Sequence, residues 1–335
     1  MKSHAKPLIA VLSFLLVTSP AAFAGNFSGF YVFGDSLSDG GSSASAVASI
    51  YKLLGGNCDP SHPCPPYDAG HYSNGPVSAE YMADGVVAGG ANPANFFNFA
   101  IAGSTTGVGN YGDNGSQTTT GLYPLPGMAL QMDIFLSMGP VADGNALYMV
   151  WGGANDFLTY DSALGAALNI SGYATLLADR GAQTILVPNL PDLSQTPFAQ
   201  SQGNAFSDEA KKFTQDFNQA LADNLNALDA ASAAKIIQFD TYSFFNALAQ
   251  NPAGYGFSNI TDACVSLSSI CLDATGYLFW DDFHPTTRVH SLLATAMLSQ
   301  VPLPGAALFF LTGLLGLLFR GVRKSVMFCP RAQCA

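Results

Sequence analysis

Five short apolar runs, separated by segments of helical composition, set the rhythm of the chain. Phe30 to Phe33 is aromatic and β-branched and reads as a strand that Gly34 ends. Asn95 to Ala100, Ala146 to Val150, Thr184 to Val187 and Lys235 to Phe239 are four more of the same kind. Between them, Ala44 to Leu54 has helical composition and stops at Gly55-Gly56. Pro76 suits the first turn of a helix running to about Val87. Met128 to Met138 is also helical. Ser162 to Arg180 ends at Gly181, with Arg180 placed for the C-terminal dipole. The strongest helical pattern is Phe213, Phe217, Leu221, Leu225 and Leu228, a one-face stripe suited to a core and less so to a lipid surface. Thr241 to Gln250 and Thr286 to Leu298 complete the helices. Strands and helices alternate with no hairpin signature, which predicts parallel strands covered by helices on both faces in one doubly wound α/β domain.

Two stretches break the rhythm. Residues 55 to 75 form a loop rich in Pro and Gly, and 107 to 127 is dominated by Gly, Thr, Asn and Tyr, the length and polarity of a substrate-facing flap. The first apolar run also leads directly into Gly34-Asp35-Ser36-Leu37-Ser38-Asp39-Gly40. A small polar turn at the carboxyl end of a strand is where open α/β sheets place their chemistry, so Ser36 is a candidate nucleophile.

A serine hydroxyl needs a base to take its proton. Of the five histidines, His4 lies in an N-terminal leader, His62 and His71 in loops, and His290 inside the last helix. His284, in Trp280-Asp281-Asp282-Phe283-His284-Pro285, can project into a cleft. Asp281, three residues earlier, can hold its Nδ1 and free Nε2 for the serine. Asp282 is a possible substitute, and a plain His-Pro turn with an acidic cap fits the spacing as well. An oxyanion hole needs donors: the Ser36 N–H, the Gly103 N–H after the second strand, and the Asn155 amide after the third. Singly these read as a strand-ending glycine and a helix cap. Together they follow successive strands whose carboxyl ends share one edge. Asp39 beside the nucleophile reads as a cap or turn acceptor.

Charge and cysteine usage narrow the class. Between residues 25 and 300 all 23 acidic residues meet only six basic ones, a net charge of −17. That surface repels phosphate backbones and excludes nucleic acid as an expected partner. Lys2 and Lys6 precede the apolar run Leu8 to Val17, and Ala22-Phe23-Ala24 offers a cleavage site, the layout of a secretory signal peptide over 1–24. Val301 to Phe319 is an apolar stretch long enough for one membrane span, flanked by Arg320, Arg323 and Lys324. In an exported chain the close pairs Cys58 with Cys64 and Cys264 with Cys271 read naturally as local disulfides, with a zinc site as the alternative. Such disulfides are expected to staple loops and leave the chemistry untouched.

Gly34-Asp35-Ser36-Leu37-Ser38-Asp39, Gly103, Gly153-Ala154-Asn155-Asp156 and Asp281-Asp282-Phe283-His284-Pro285, in that order, resemble the four blocks of the GDSL, or SGNH, hydrolases. Tyr72-Ser73-Asn74-Gly75-Pro76, Asn98-Phe99-Ala100 and Asn189-Leu190-Pro191-Asp192-Leu193 resemble its lecithinase and haemolysin-type branch. The likeness spans residues 30 to 298. It implies a flavodoxin-like three-layer α/β/α sandwich on a five-stranded parallel sheet, and a serine esterase or lipase; a polysaccharide O-acyl esterase or acyltransferase on the same site, or a catalytically silent surface-binding protein, are the alternatives. Ser36 would be the nucleophile, His284 the base, Asp281 its orienting acid, with Ser36, Gly103 and Asn155 as the oxyanion hole. Ala102-Gly103 departs from a double glycine common in the family, and the needed N–H remains. No Gly-x-Ser-x-Gly elbow occurs, which disfavours an ordinary α/β-hydrolase. No metal or organic cofactor is implied, and the partner is an ester substrate: a lipid, a short acyl ester or an acylated glycan. The segment 301–324 resembles a PEP-CTERM sorting signal in its Val-Pro-Leu-Pro variant. That implies a bacterial envelope protein, held in the membrane through this segment until an exosortase-like protease processes it. Residues 325–335, with Cys329 and Cys334, carry no assignment, which leaves 25–300 as the hydrolase domain.

Overall fold

Strands β1 (Phe30–Gly34), β2 (Phe96–Asn98), β3 (Leu147–Trp151), β4 (Thr184–Pro188) and β5 (Lys235–Phe239) form one sheet. Their order is β2-β1-β3-β4-β5 and every pairing is parallel. The computed structural model describes residues 27–139, 141–266 and 269–301. The expected leader, the sorting segment beyond Val301, and the tail with Cys329 and Cys334 lie outside the described residues.

The helices are α1 (Ile50–Leu53), α2 (Ser78–Val86), α3 (Met128–Met138), α4 (Ala154–Leu158), α5 (Ala163–Asp179), α6 (Pro197–Ser201), α7 (Asn204–Ala231), α8 (Thr241–Gln250) and α9 (Thr287–Leu298). Helices α3, α5 and α7 cover one face of the sheet, where Phe33, Tyr148, Val150, Ile185 and Val187 point. Helices α2, α8 and α9 cover the other, against Phe30, Val32, Met149, Leu186 and Ile237. Side chains alternate between faces along a strand, so two covered faces require strands apolar throughout. β3, in the centre, is buried at all its residues, whereas β5, at the edge, exposes Lys235 and Gln238. The stripe on α7 faces the core: Phe213, Phe217, Leu221 and Leu225 are buried. The result is the expected three-layer α/β/α sandwich.

Three local departures have physical causes. The helix expected over 44–54 is confined to α1, because the open edge of β2 captures the backbone before it. Ala46 bridges Asn98, Val47 N–H donates to Asn98 O at 2.6 Å, and the Ser49 side chain then caps α1. Pro76 lies ahead of α2, whose N-cap is Val77 with Glu80 accepting from its N–H. Beyond α8 a second parallel pair, β6 (Asn259–Ala263) and β7 (Tyr277–Phe279), occupies what reads as loop in the sequence. Its Asn-Ile-Thr-Asp-Ala composition is too polar to announce a strand. Both disulfides are present, Cys58–Cys64 and Cys264–Cys271, in place of the zinc alternative.

Candidate active site

Among the described residues the order of the sheet reverses between β1 and β3, and the loops after β1, β2 and β3 meet there. That crevice, at the carboxyl ends of the strands, is the usual ligand site of a doubly wound sheet. Here it is a cleft of about 1250 Å³ whose walls include Ser36, Gly103, Asn155 and His284.

The turn carrying Ser36 is tightly held. Ser38 and Asp39 N–H groups donate to Asp35 O at 3.0 and 2.9 Å, and Leu37 N–H donates to Asp35 Oδ1 at 3.0 Å. Gly34 is required by close approach: a Cβ there would lie 2.4 Å from Trp151 O. Gln131 of α3 clamps both backbone groups of Gly34, accepting from its N–H at 2.9 Å and donating to its carbonyl at 2.7 Å. Asp39 is buried and accepts from Gly41, Ile50 and Ala102 N–H groups, which makes it a turn organiser. Burial pushes its carboxyl up to about 6 against those donors.

His284 reaches Ser36 from the far end of the chain. Trp280 N–H donates to His284 O at 2.7 Å and closes a turn, inside which Asp281 Oδ1 accepts from Phe283 and His284 N–H at 2.8 and 2.7 Å. This turn is why a three-residue spacing works: it brings the carboxylate round to its own histidine. His284 Nδ1 lies 2.9 and 2.8 Å from the two Asp281 oxygens, and Nε2 lies 2.8 Å from Ser36 Oγ. With Nδ1–H donating to Asp281, Nε2 is left to accept from the serine. Burial alone would raise the Asp281 carboxyl, but the His284 imidazole and the backbone donors hold it at about 2. Asp282 makes no such contact, and its carbonyl accepts from Phe198 N–H at 2.9 Å.

Gly103 has φ +75°, and a Cβ would fall 2.2 Å from Asn110 Oδ1, so the turn after β2 needs glycine twice over. Among the described residues the N–H groups of Ser36 and Gly103 donate to no protein acceptor. Asn155 does not cap α4, whose N-cap is Gly153; its amide donates to Ser104 O at 3.0 Å. The neighbouring Asp156, buried, accepts from Thr106 N–H and Oγ1 at 2.9 and 2.6 Å. Burial pushes its carboxyl up to about 7 despite the Thr106 donors. Asn155 and Asp156 thus latch the loop after β3 to the loop after β2, which ties the Asn155 amide to the Gly103 turn.

The other described histidines serve elsewhere. His290 is buried in α9 and accepts from Ser78 N–H at 3.2 Å, and burial lowers it to about 3. His71 bridges Asp68 O and Glu80, 2.7 and 2.9 Å away, and although burial lowers it, Glu80 and Asp68 raise it to about 9. His62 pairs with Asp59 at 2.9 Å. His62, Asp281 and His284 place potential metal-ligating atoms within 4.8 Å of one another. A cation there would compete with Ser36 and Asp281 for His284, whose two ring nitrogens are already engaged.

Both loops that break the rhythm line the cleft. From 55–75 come Asp59, Ser61, His62 and Tyr72; from 107–127 come Asn110, Tyr111, Asn114 and Tyr123. The lining also holds an aromatic cluster in which Phe206 meets Phe157 and Phe198, and Phe198 meets Phe283. Sequence reasoning missed Tyr67, Gln131 and Asn110. None sits in a motif, and only the fold brings them to the site. The segment stapled by Cys58–Cys64 borders the site: His62 inside the ring lines the cleft, and Tyr67, three residues past it, donates from Oη to Asp281 Oδ2 at 2.8 Å.

A family model for GDSL-like lipases and acylhydrolases matches residues 30–297. The chain is 27% identical to a thermolabile hemolysin of Vibrio parahaemolyticus over 80% of its own length and 62% of the relative's, so it spans under two thirds of that protein. It is 26% identical to a phosphatidylcholine-sterol acyltransferase of Aeromonas hydrophila, over 80% of this chain and 88% of the relative. A solved lipolytic G-D-S-L protein from Veillonella parvula aligns over 81% of this chain and 96% of its own, with 14% identity and a TM-score of 0.43.

Proposed function

The chain belongs to the GDSL-like lipase/acylhydrolase family, and from that premise we propose that it hydrolyses esters through an acyl-enzyme on Ser36. It is a serine ester hydrolase of the esterase and lipase type; the roles of single residues and the substrate are our reading. The observation that carries the reading is the buried relay from Asp281 through His284 to Ser36 Oγ.

Ser36 Oγ attacks the ester carbonyl carbon while His284 Nε2 takes its proton. The new oxyanion is received by the N–H groups of Ser36 and Gly103 and the Asn155 amide, donors already fixed by their turns. The C–O bond to the alcohol then breaks as His284 returns the proton to the leaving oxygen. Water adds to the acyl-enzyme, passing its proton to His284. Collapse breaks the bond to Ser36 Oγ, which recovers the proton as the acid departs. Asp281 stays ionised and stabilises the imidazolium in both halves. A lining that holds both the Phe157, Phe198 and Phe206 cluster and polar groups such as Asp59 and Ser61 supports esters that pair an apolar acyl part with a more polar alcohol part. Ser36→Ala, assayed with p-nitrophenyl butyrate, tests the reading. Turnover should fall by about 10⁴-fold or more, and an unchanged rate would end it.

Acyl transfer to an alcohol is a second reading, prompted by the name of the Aeromonas relative. It uses the same acyl-enzyme and differs only in the acceptor. Product analysis with an added alcohol, scoring new ester against free acid, separates the two. We also propose export to the bacterial envelope. Support comes from the Lys-flanked apolar run before Ala22-Phe23-Ala24, the two disulfides, and the Val-Pro-Leu-Pro sorting-type segment, read as a substrate of an exosortase-like protease. Among the described residues no helix is long and apolar enough to cross a membrane.

A further inference from the structure

We propose that Tyr67 is a positioning residue of the reaction, holding the Asp281–His284 pair in register with Ser36, and that the Cys58–Cys64 disulfide acts on catalysis by holding Tyr67. The proposal rests on the serine-hydrolase reading of the site and adds a residue to it.

Asp281 has four acceptor directions and a defined donor for each oxygen. Oδ1 takes the Phe283 and His284 backbone N–H groups, whereas Oδ2 takes Tyr67 Oη at 2.8 Å and shares the imidazole N–H at 2.8 Å. Three of these groups belong to the Asp281–His284 turn itself. Tyr67 is the one that comes from elsewhere in the chain, so it ties the carboxylate itself to the body of the site. The phenol is buried, at 7% exposure, and stands edge-on to Trp280, the residue before Asp281, with ring centroids 6.0 Å apart at 87°. It therefore grips the catalytic turn by a ring contact and a hydrogen bond at once. Burial, and then the Asp281 charge, push the phenol upward, so it keeps its proton and remains a donor across the working range.

The loop that presents Tyr67 is itself cross-braced. Cys58–Cys64 closes residues 58–64, and Tyr67, three residues beyond the ring, is tied back to it by its N–H donating to Pro63 O at 3.2 Å. Asp59 gathers Ser61 N–H, His62 Nδ1 and Tyr72 Oη, each at 2.9 Å. Tyr72 lays its ring 5.4 Å from that of His284, and His62 stands 5.0 Å edge-on to Tyr67. The ionisable groups facing the pair are thus Tyr67, Tyr72, His62, Asp35 and, from α9, the buried His290, with Asp282 and Asp59 acting through Tyr67. None of the others donates a hydrogen bond to Asp281.

Removing the Tyr67 hydroxyl has two separable effects. The Asp281 carboxylate loses its one donor from outside the turn among the described residues, which slows the chemical step. The Asp281 charge, no longer shared with a phenol, also pulls harder on the imidazolium, so the acid limb of the pH profile moves to higher pH. A residue that only fills space would do neither selectively. In the full chain with p-nitrophenyl butyrate, Tyr67→Phe should lower kcat roughly 10- to 100-fold, the size of one hydrogen bond to a charged group. KM should stay within about twofold, and the acid limb of kcat/KM should move to higher pH. Cys58→Ser/Cys64→Ser should lower kcat in the same direction with KM kept. Adding Tyr67→Phe to that background should cost less than it does alone, because both changes act through one contact. An unchanged kcat in folded Tyr67→Phe overturns the proposal, as does a loss of kcat with an unmoved acid limb. If Tyr67→Phe does not fold, the cysteine variant decides: unaltered kcat and acid limb overturn the proposal. Ser36→Ala run in parallel keeps the failures apart. Turnover surviving in Ser36→Ala removes the underlying reading, while an inert Ser36→Ala beside a fully active Tyr67→Phe removes this inference alone.

Discussion

The site has two halves made in different ways. Ser36, Gly103 and Asn155 sit one after another at the carboxyl ends of β1, β2 and β3, and neighbouring parallel strands bring them together. Asp281, His284 and Tyr67 lie on connections outside the sheet, where local turns, aromatic contacts and a disulfide do the same work. In the first half, position follows from topology, and each residue is held by its own strand end. In the second, position follows from a chain of small contacts, any one of which can be removed without unfolding the core. Catalysis through such a site should therefore be lost from either half, whereas stability should be lost mainly from the first.

Asp281→Asn is the hardest test of that division. An amide can present the wrong tautomer to His284, so kcat should fall about 10⁴-fold while the melting temperature moves little. A small loss of kcat would mean that the sheet-borne half suffices. Asn155→Ala should come next, at about 10²- to 10³-fold in kcat for one oxyanion donor. Equal losses in 1/KM would instead make Asn155 a ground-state contact.

Gly103→Ala should separate the halves by stability. At φ +75°, against Asn110, an added methyl should cost at least about 1–2 kcal/mol. Thermal unfolding should show a drop of several degrees, which no conservative change in the loop-borne half should match. A melting temperature equal to that of the parent chain would place the Gly103 turn with the adaptable half.

The smallest effect expected is one of pH. His71, raised to about 9 in the folded chain, lies within the 55–75 loop between Asp68 and Glu80, and Glu80 ties the loop to α2. A histidine raised on folding stabilises most fully below its unfolded value near 6.5 and loses that contribution as pH climbs through about 9. Limited proteolysis within 55–75 should therefore quicken above pH 9 while the sheet stays protected. His71→Gln should abolish that pH dependence. Equal protection of loop and sheet at pH 10 would show that the loop is not anchored in this way.

The same division decided what could be read from sequence. The strands were legible because burial on two faces demands unbroken apolar runs, and Ser36, Gly103 and Asn155 were legible because each directly follows one. Asp281 and His284 were visible through local spacing alone, which could not be told from a capped His-Pro turn. What decides the matter is the contact to Ser36 across 248 positions of chain. Tyr67 meets Asp281 across 214 positions and left no periodic or motif signal. Residues 44–49 misled for a related reason, since their helical composition lost to the hydrogen bonds offered by the edge of β2. The polar pair β6 and β7 was equally silent. Local propensity is read from neighbours in sequence, and these outcomes were settled by neighbours in space.

The claim on which the rest depends is that Ser36 carries the acyl group. Incubating the full chain with a fluorophosphonate, then mapping the adduct by peptide mass spectrometry alongside residual activity, tests it directly. One adduct on Ser36, formed in step with loss of turnover and absent from Ser36→Ala, is the expected result. A modified residue other than Ser36, or full turnover in protein fully labelled at Ser36, would contradict it.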